Sequence, residues 1–373
     1  MQPTPTILVA PLNWGLGHAT RCIPIINSLL AKGCKVIIAS SERPYHLLKH
    51  EFPQLEHIYF PNYEIEYPEN ENMAVTLLRK GPEMYWETLK ENRHLQRLIW
   101  EHNIRGVIAD NRFGFYNSRI PTVFLAHQLN LHMTEGFAWL KPIANGLNLK
   151  YARKFSRIWV PDFEGVPNLT GELSHFEGLP RTARYVGPLS RFAGVEVENT
   201  GAFSGYDMLI TMSGPEPQRT LLENRLTEQA VNLPYKTLMV VGKTEDVMDR
   251  VEVATNVHKV AHLPARAMQE AMLQVKYIVC RSGYSTIMDL AALGLKAAFI
   301  PTPGQPEQEY LAETYQQKGF APYATQANVD LKNLLAEYDN YKGFAAFKSD
   351  SGLLDSAVDE FLGWLLKDNY IRG

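Results

Sequence analysis

Cysteine is scarce in this chain, with three in 373 residues: Cys22, Cys34 and Cys280. An odd count without CxxC or Cys/His ligand spacing excludes a disulfide framework and a zinc ribbon. The apolar or helical surroundings of each predict buried fillers in a reducing compartment. Charge of one sign is also lacking. With 37 Lys and Arg against 40 Asp and Glu, the formal net charge of −3 gives no broad basic field, so nucleic acid is not an expected partner. No uncharged apolar run reaches the roughly 18 residues of a spanning helix. The N-terminus, MQPTPTILVAPLNWG, has no basic segment before its short apolar run and predicts a first strand rather than a signal peptide. Fixed-period repeats and low-complexity tracts are absent from the sequence.

What the sequence does contain is a rhythm of short apolar runs and helical patterns. Ile7 to Ala10, Val36 to Ala39, Ile58 to Phe60, Gly106 to Ala109, Thr122 to Leu125, Ile158 to Val160 and Tyr185 to Val186 predict a parallel sheet, with a long helix from about Asn72 to His102. Met208 to Met212, Leu238 to Val241, Val257 to Val260, Ile278 to Cys280 and Ala298 to Ile300 predict a second one. The glycine-rich, aperiodic stretch after Gly187 reads as a linker. The expected fold class is α/β with two domains, residues 1–187 and 206–350, joined by a 188–205 linker and followed by a C-terminal helix within 351–373.

In open parallel sheets, ligands gather where strands end. Ser282 and Gly283 follow one apolar run, and Ser285 and Thr286 fall in the first turn of the next helix. Hydroxyls and unpaired N–H groups there suit a phosphate. Asp289 lies deeper, at a distance where a carboxylate could hold a sugar diol. Ser213 and Gly214 repeat the small-residue turn in LITMSGPEPQRT, with Arg219 and Lys243 as further phosphate contacts. His262 and Leu263 stand in a loop that could read a flat base. After the proline-rich loop from Pro301, Gln308 and Glu309 offer donors and acceptors for hydroxyls. Each of these also has a plain alternative as a cap, a solvated side chain or a routine connection.

The first loop, PLNWGLGH, carries Asn13, Gly15 and Gly17 and ends in His18; it does not match GxGxxG. A helix start disfavours imidazolium, leaving His18 neutral to accept a proton. Pro24 predicts a kink, or a helix beginning nearer Arg21. Asp110 ends an apolar run, and His127 and Gln128 follow the next, at strand ends that face the ligand side of an open sheet; acceptor recognition or plain loop structure is the reading for the second pair. Two histidines, His127 and His132, without a third ligand make a poor metal site. The segment from Phe137 to Phe155 mixes apolar and basic residues. A core-packed helix with snorkelling lysines is the preferred reading, and contact with an anionic membrane surface the other.

IVCRSGYSTIMDLAALGLKAAFIPTPGQPEQEYLAE resembles the donor-binding segment of the MurG-like glycosyltransferases of family 28, and NWGLGHATR resembles their first loop. The resemblance implies a GT-B fold, two Rossmann-like domains facing each other across a cleft. It implies a nucleotide-sugar donor, UDP-linked, held by the second domain without a metal or other cofactor. Ser213, Gly214, Ser282 and Gly283 would touch phosphates, Asp289 would stand for a ribose-binding glutamate, and Gln308 and Glu309 would stand where the family has two glutamines. His18 or Asp110 would be the base of an inverting transfer to an acceptor hydroxyl, lipid-linked or otherwise of the cell envelope. The expected place is the cytoplasm, at the inner membrane face. A nucleotide-sugar epimerase of the same fold and an inactive nucleotide-sugar-binding protein are the alternatives.

Overall fold

The structure is a computed structural model that describes residues 4–13, 15–61, 73–133, 135–195, 199–242, 250–348 and 352–365, with 73–82 and 135–137 as backbone. It divides into two compact units, 1–189 with 351–373, and 190–350.

The first unit holds a seven-stranded sheet of β1 (Thr6–Pro11), β2 (Lys35–Ser40), β3 (Glu56–Tyr59), β4 (Ile104–Asp110), β5 (Thr122–Leu125), β6 (Arg157–Val160) and β7 (Ala183–Tyr185), in the order β3-β2-β1-β4-β5-β6-β7. Neighbouring strands pair in parallel. All six residues of β1 are buried, which is why its sequence is a continuous apolar run rather than an alternating one. Its connections include α1 (Leu16–Ala31), α2 (Glu42–Glu51), α3 (Met73–Glu101) and α4 (Lys141–Ala152). One core gathers Leu8, Ala10, Ile37, Val107, Phe124 and Ile158. The strand order reverses between β1 and β4, where Pro11 stands beside Asp110. That crevice is the ligand position of doubly wound sheets.

Helix α1 corrects one expectation. It starts at Leu16 and runs through Pro24 to Ala31 rather than beginning nearer Arg21. The proline forfeits one backbone hydrogen bond, and burial of Cys22, Ile23, Ile25, Ile26 and Leu29 around it offsets that loss.

The second unit has β8 (Met208–Thr211), β9 (Thr237–Val240), β10 (Val251–Ala254), β11 (Val257–Val260), β12 (Tyr277–Cys280) and β13 (Ala298–Phe299), ordered β10-β11-β9-β8-β12-β13. Its helices are α5 (Gln218–Val231), α6 (Ala265–Gln274), α7 (Tyr284–Leu293), α8 (Pro306–Gln317) and α9 (Leu331–Ala336). Strand β10, absent from the sequence reading, pairs antiparallel with β11 at the sheet edge. Here too the order reverses, between β8 and β12, with Thr211 beside Cys280. The turns at Ser213 and Ser282 therefore leave adjacent strands.

Within the 188–205 stretch, Ser190 bonds Asp289 at 2.7 Å and Thr200 bonds Glu270 at 2.9 Å, both within the second unit. The C-terminal helix α10 (Leu353–Leu365) belongs to the first unit. Ser28 donates to Asp355 at 2.5 Å and Lys32 to Asp359 at 2.6 Å, while Phe361 packs so closely on Gly106 that a Cβ there would lie 2.6 Å from its ring. All three cysteines are buried and free.

Candidate functional site

The end of β1 and the first turn of α1 carry His18 to the end of β4. His18 Nδ1 lies 3.1 Å from Asp110 Oδ2, and Asp110 is wholly buried. Arg21, one helical turn beyond His18, donates from Nε to the same oxygen at 2.7 Å and from Nη2 to Oδ1. Its Nη1 lies 2.8 Å from His127 Nδ1. Guanidinium nitrogens only donate, so that ring nitrogen of His127 is an acceptor. The structure thus gathers His18, Asp110 and His127 around an arginine that sequence reasoning did not select. The i, i+3 spacing from His18 was the available signal.

Two effects compete at Asp110. Burial raises the pKa of its carboxyl, but Arg21 and His18 together outweigh it and hold the group below its ordinary 3.8, so it is a carboxylate. Burial is also the leading effect on His18, helped by the Arg21 cation and opposed by Asp110; the net result lies below the ordinary 6.5, so the ring is neutral at pH 7. Arg21 Nη2 also lies 2.8 Å from His18 Nδ1, and a neutral nitrogen cannot both accept from Arg21 and donate to Asp110. Since Nη2 already has an anionic acceptor in Oδ1, the Nδ1 proton is assigned to Asp110. That tautomer leaves the Nε2 lone pair available, on a side chain 14% exposed.

Around this group, the Asn13 carbonyl accepts from the Gly15 N–H at 3.0 Å, and Gly15 takes φ 84° as the residue before α1. The Gly17 carbonyl accepts from Thr20 Oγ1. The Gln128 carbonyl accepts from Asn148 at 3.3 Å. His132 stands 4.0 Å from Glu172. Among the described residues no group of three or more His, Cys, Asp or Glu side chains is arranged to hold a metal.

In the second unit the strand-end turns are braced by a buried arginine. Arg281, directly after β12, donates to the carbonyls of Ile300 and Pro301 at 3.0 Å, to Ser213 and Gln218 at 3.4 Å, and to Gln326 Oε1 at 2.8 Å. Burial lowers its pKa to about 10, which leaves it a cation at neutral pH. One side chain therefore fixes the loops after β8, β12 and β13. An arginine in a turn reads as solvated, which is why the sequence hid it.

The other expected residues fall around these loops with most polar atoms engaged. Ser213 and Gly214 form an exposed turn, Gly214 at φ 116°. Ser282 is fully buried and donates to the Gln308 carbonyl at 2.7 Å. Gly283 precedes α7 without a side-chain cap, and Ser285 and Thr286 are half-buried in its first turn. Arg219 pairs with Glu216 and donates to the Gly242 carbonyl at 3.0 Å. Gln308 Oε1 accepts from the Thr302 N–H and Glu309 Oε1 from the Gly304 N–H, both at 3.0 Å, so this pair braces its own loop. Asp289 accepts from Ser190 through Oδ1 and meets Arg191 at 3.4 Å through Oδ2. Its burial raises its pKa above the ordinary 3.8 despite Arg191. His262 is drawn below 6.5, first by desolvation and then by Arg191; Leu263 beside it is half-buried. Lys243 lies outside the described residues.

Along α4 and the short turn that leads into it, the core-packed reading needs correction. Leu140 and Ala152 are buried, but Trp139, Ile143 and Leu147 recur at helical spacing with more than half of their surface exposed. The apolar residues are divided between two faces, and the outer one lies near Lys141 and Lys150 in sequence.

Comparison with known proteins bears on the fold and on the second unit. Residues 218–344 match the glycosyltransferase family 28 C-terminal domain. A UDP-N-acetylglucosamine–N-acetylmuramyl-(pentapeptide) pyrophosphoryl-undecaprenol N-acetylglucosamine transferase of Listeria monocytogenes is 26% identical over 203 residues, 52% of this chain and 55% of the relative. The match therefore spans just over half of that relative's length. Among solved structures, CalG4, the calicheamicin glycosyltransferase, aligns with a TM-score of 0.65 at 14% identity, covering 97% of this chain and 99% of CalG4. MurG of Acinetobacter baumannii aligns at 0.55 and 13% identity, covering 97% of this chain and 100% of its own. The resemblance read from the two motifs is borne out: the chain has the GT-B fold of the MurG-like glycosyltransferases, with a family 28 C-terminal domain as its second unit.

Proposed function

We propose that the protein is an inverting glycosyltransferase that moves a sugar from a UDP-linked donor, held by the second unit, to an acceptor hydroxyl held by the first. The observation that carries this reading is the contact between His18 Nδ1 and Asp110 Oδ2 at 3.1 Å, with Nε2 left as the free base. Nε2 takes the proton of the acceptor hydroxyl as its oxygen bonds to the anomeric carbon. The bond from that carbon to the diphosphate breaks, and its electron pair leaves with the diphosphate. A single displacement inverts the centre.

Asp110 keeps the Nδ1 proton and stabilises the imidazolium that forms, while Arg21 holds both partners in register. The turns at Ser213–Gly214 and Ser282–Gly283, with the first turn of α7, supply N–H dipoles to the departing diphosphate. We propose that this stabilisation needs no metal ion. For the acceptor we propose a lipid-linked molecule at a membrane surface, met by Trp139, Ile143 and Leu147 with Lys141 and Lys150 beside them. A lipid-linked acceptor is also what the name of the Listeria relative describes.

The test is a mass-spectrometric screen of UDP-, dTDP- and GDP-sugars with purified protein and EDTA, scoring hydrolysis or transfer. One UDP-sugar should be consumed, and His18→Ala should abolish consumption while leaving donor binding within about twofold. If no nucleotide-sugar is bound or consumed, the reading fails. Loss of donor binding alone in His18→Ala would remove His18 as the base.

A further inference from the structure

Among the described residues, the loop after β13 contains a buried polar atom without a hydrogen-bond partner. Thr302 is 1% exposed, and its Oγ1 is buried without a hydrogen bond among the described residues. Its backbone is held on both sides: the N–H donates to Gln308 Oε1 at 3.0 Å, and the carbonyl accepts from the Gln305 N–H at 3.1 Å. Those two bonds fix the stretch of main chain that carries the hydroxyl. A buried hydroxyl without a partner is a cost, and a ligand oxygen that accepted from it would remove that cost.

What lies over this hydroxyl is the exposed turn after β8. A Cβ built on Gly214 would meet one atom within 4 Å beyond its chain neighbours, Thr302 Oγ1, at 3.4 Å. The next turn along the sheet is met in the same way. A Cβ on Gly283 would lie 4.0 Å from Gln308 Nε2, and Gln308 is the side chain that holds Thr302. The loop after β13 and the first turn of α8 thus reach the two glycine turns, with the Thr302 hydroxyl at one and the Gln308 amide at the other.

We propose that Thr302 is a positioning residue for the donor diphosphate: its hydroxyl donates to a phosphate oxygen drawn into the Gly214 turn. This rests on the nucleotide-sugar reading and extends it to a residue outside the two glycine turns. Gly214, at φ 116° and without a side chain, can yield to admit the oxygen, whereas any Cβ there would be strained and would cover the hydroxyl. The bond is absent from a nucleoside, which has no phosphate to receive it.

Titration calorimetry with UDP and with uridine tests this on the full chain, using Thr302→Val, which keeps the shape and removes the hydroxyl, and Thr302→Ser, which keeps the hydroxyl. Loss of a hydrogen bond to a charged group predicts about tenfold weaker UDP binding in Thr302→Val, with uridine affinity unchanged. Thr302→Ser should stay within about twofold of the parent for both. Equal UDP affinity in Thr302→Val and the parent overturns the proposal, as does an equal loss for UDP and uridine, which would mark a packing effect. A parent chain that binds UDP, dTDP and GDP no better than it binds uridine overturns the nucleotide-sugar reading and this assignment with it.

Discussion

His18 and Asp110 are separated by 92 residues in sequence and by 3.1 Å in the structure. Parallel pairing of β1 with β4 makes that meeting possible, because it sets Pro11 beside Asp110 and sends the next turn of chain back over the strand ends as α1. The contact places a proton acceptor on a buried carboxylate. Asp110→Asn removes the charge that stabilises the imidazolium and can invert the ring tautomer, so turnover should fall by about 100- to 10,000-fold. Donor affinity, measured separately, should hold. Because Arg21 would then be buried without its anion, the variant should also lose about 3–5 kcal/mol of stability, visible in a denaturant titration.

Arg21 makes a separate prediction in pH. It lowers the pKa of both His18 and Asp110. The parent base is active when unprotonated, so the acid limb of its rate profile should lie below pH 6.5. In Arg21→Gln the His18 pKa should rise, carrying that limb toward higher pH; an unmoved limb would separate Arg21 from the base. The folded state takes up protons at both groups less readily than the unfolded chain. Parent stability should therefore decline as pH falls from about 6.5, and again as it passes below about 4, the ordinary ranges of His and Asp.

Most strands were legible because buried parallel strands are continuous apolar runs, whereas the half-buried β3 and β7 were read only in part, from Ile58 and from Tyr185. Strand β10 escaped because VEVA is short, alternating and mostly exposed. The two ends of this contact could be read singly, His18 from its loop and Asp110 from its strand end, but their meeting depends on strand order, which no local pattern carries. Arg21 and Arg281 escaped for a shared reason. A buried guanidinium is unusual, and its partners, a distant carboxylate for one and carbonyls after β8 and β13 for the other, are set by the tertiary fold.

Arg281 should prove to be a stability residue as much as a site residue. Replacing it with Met leaves the carbonyls of Ile300 and Pro301 and the Gln326 amide without their donor. Loss of several buried bonds at once should cost about 3 kcal/mol or more. Arg281→Lys keeps the charge but cannot reproduce a five-donor fork, so it should recover only part of that loss. A Met variant as stable as the parent by thermal melting would show that the three loops hold without it.

Asp289 is the residue in the second unit with most at stake. Its Oδ1 takes the Ser190 hydroxyl at 2.7 Å, whereas its Oδ2 meets Arg191 only at 3.4 Å, longer than an ordinary hydrogen bond. If the carboxylate binds a ribose diol, Oδ2 is the oxygen that changes partner, and Ser190 continues to orient the group. Asp289→Asn keeps the shape and one acceptor, so the fold should tolerate it, while nucleoside affinity should fall about tenfold through loss of a charged acceptor. Ser190→Ala should produce a smaller loss, since it removes only the orienting bond. Burial has already raised the Asp289 pKa, so nucleoside affinity in the parent should begin to weaken on acidification at a pH above the ordinary carboxylate range, and the Asn variant should show no such dependence. Calorimetry with uridine at two pH values separates the cases. Parallel pH responses in parent and variant would assign Asp289 to anchoring Ser190 and Arg191 alone.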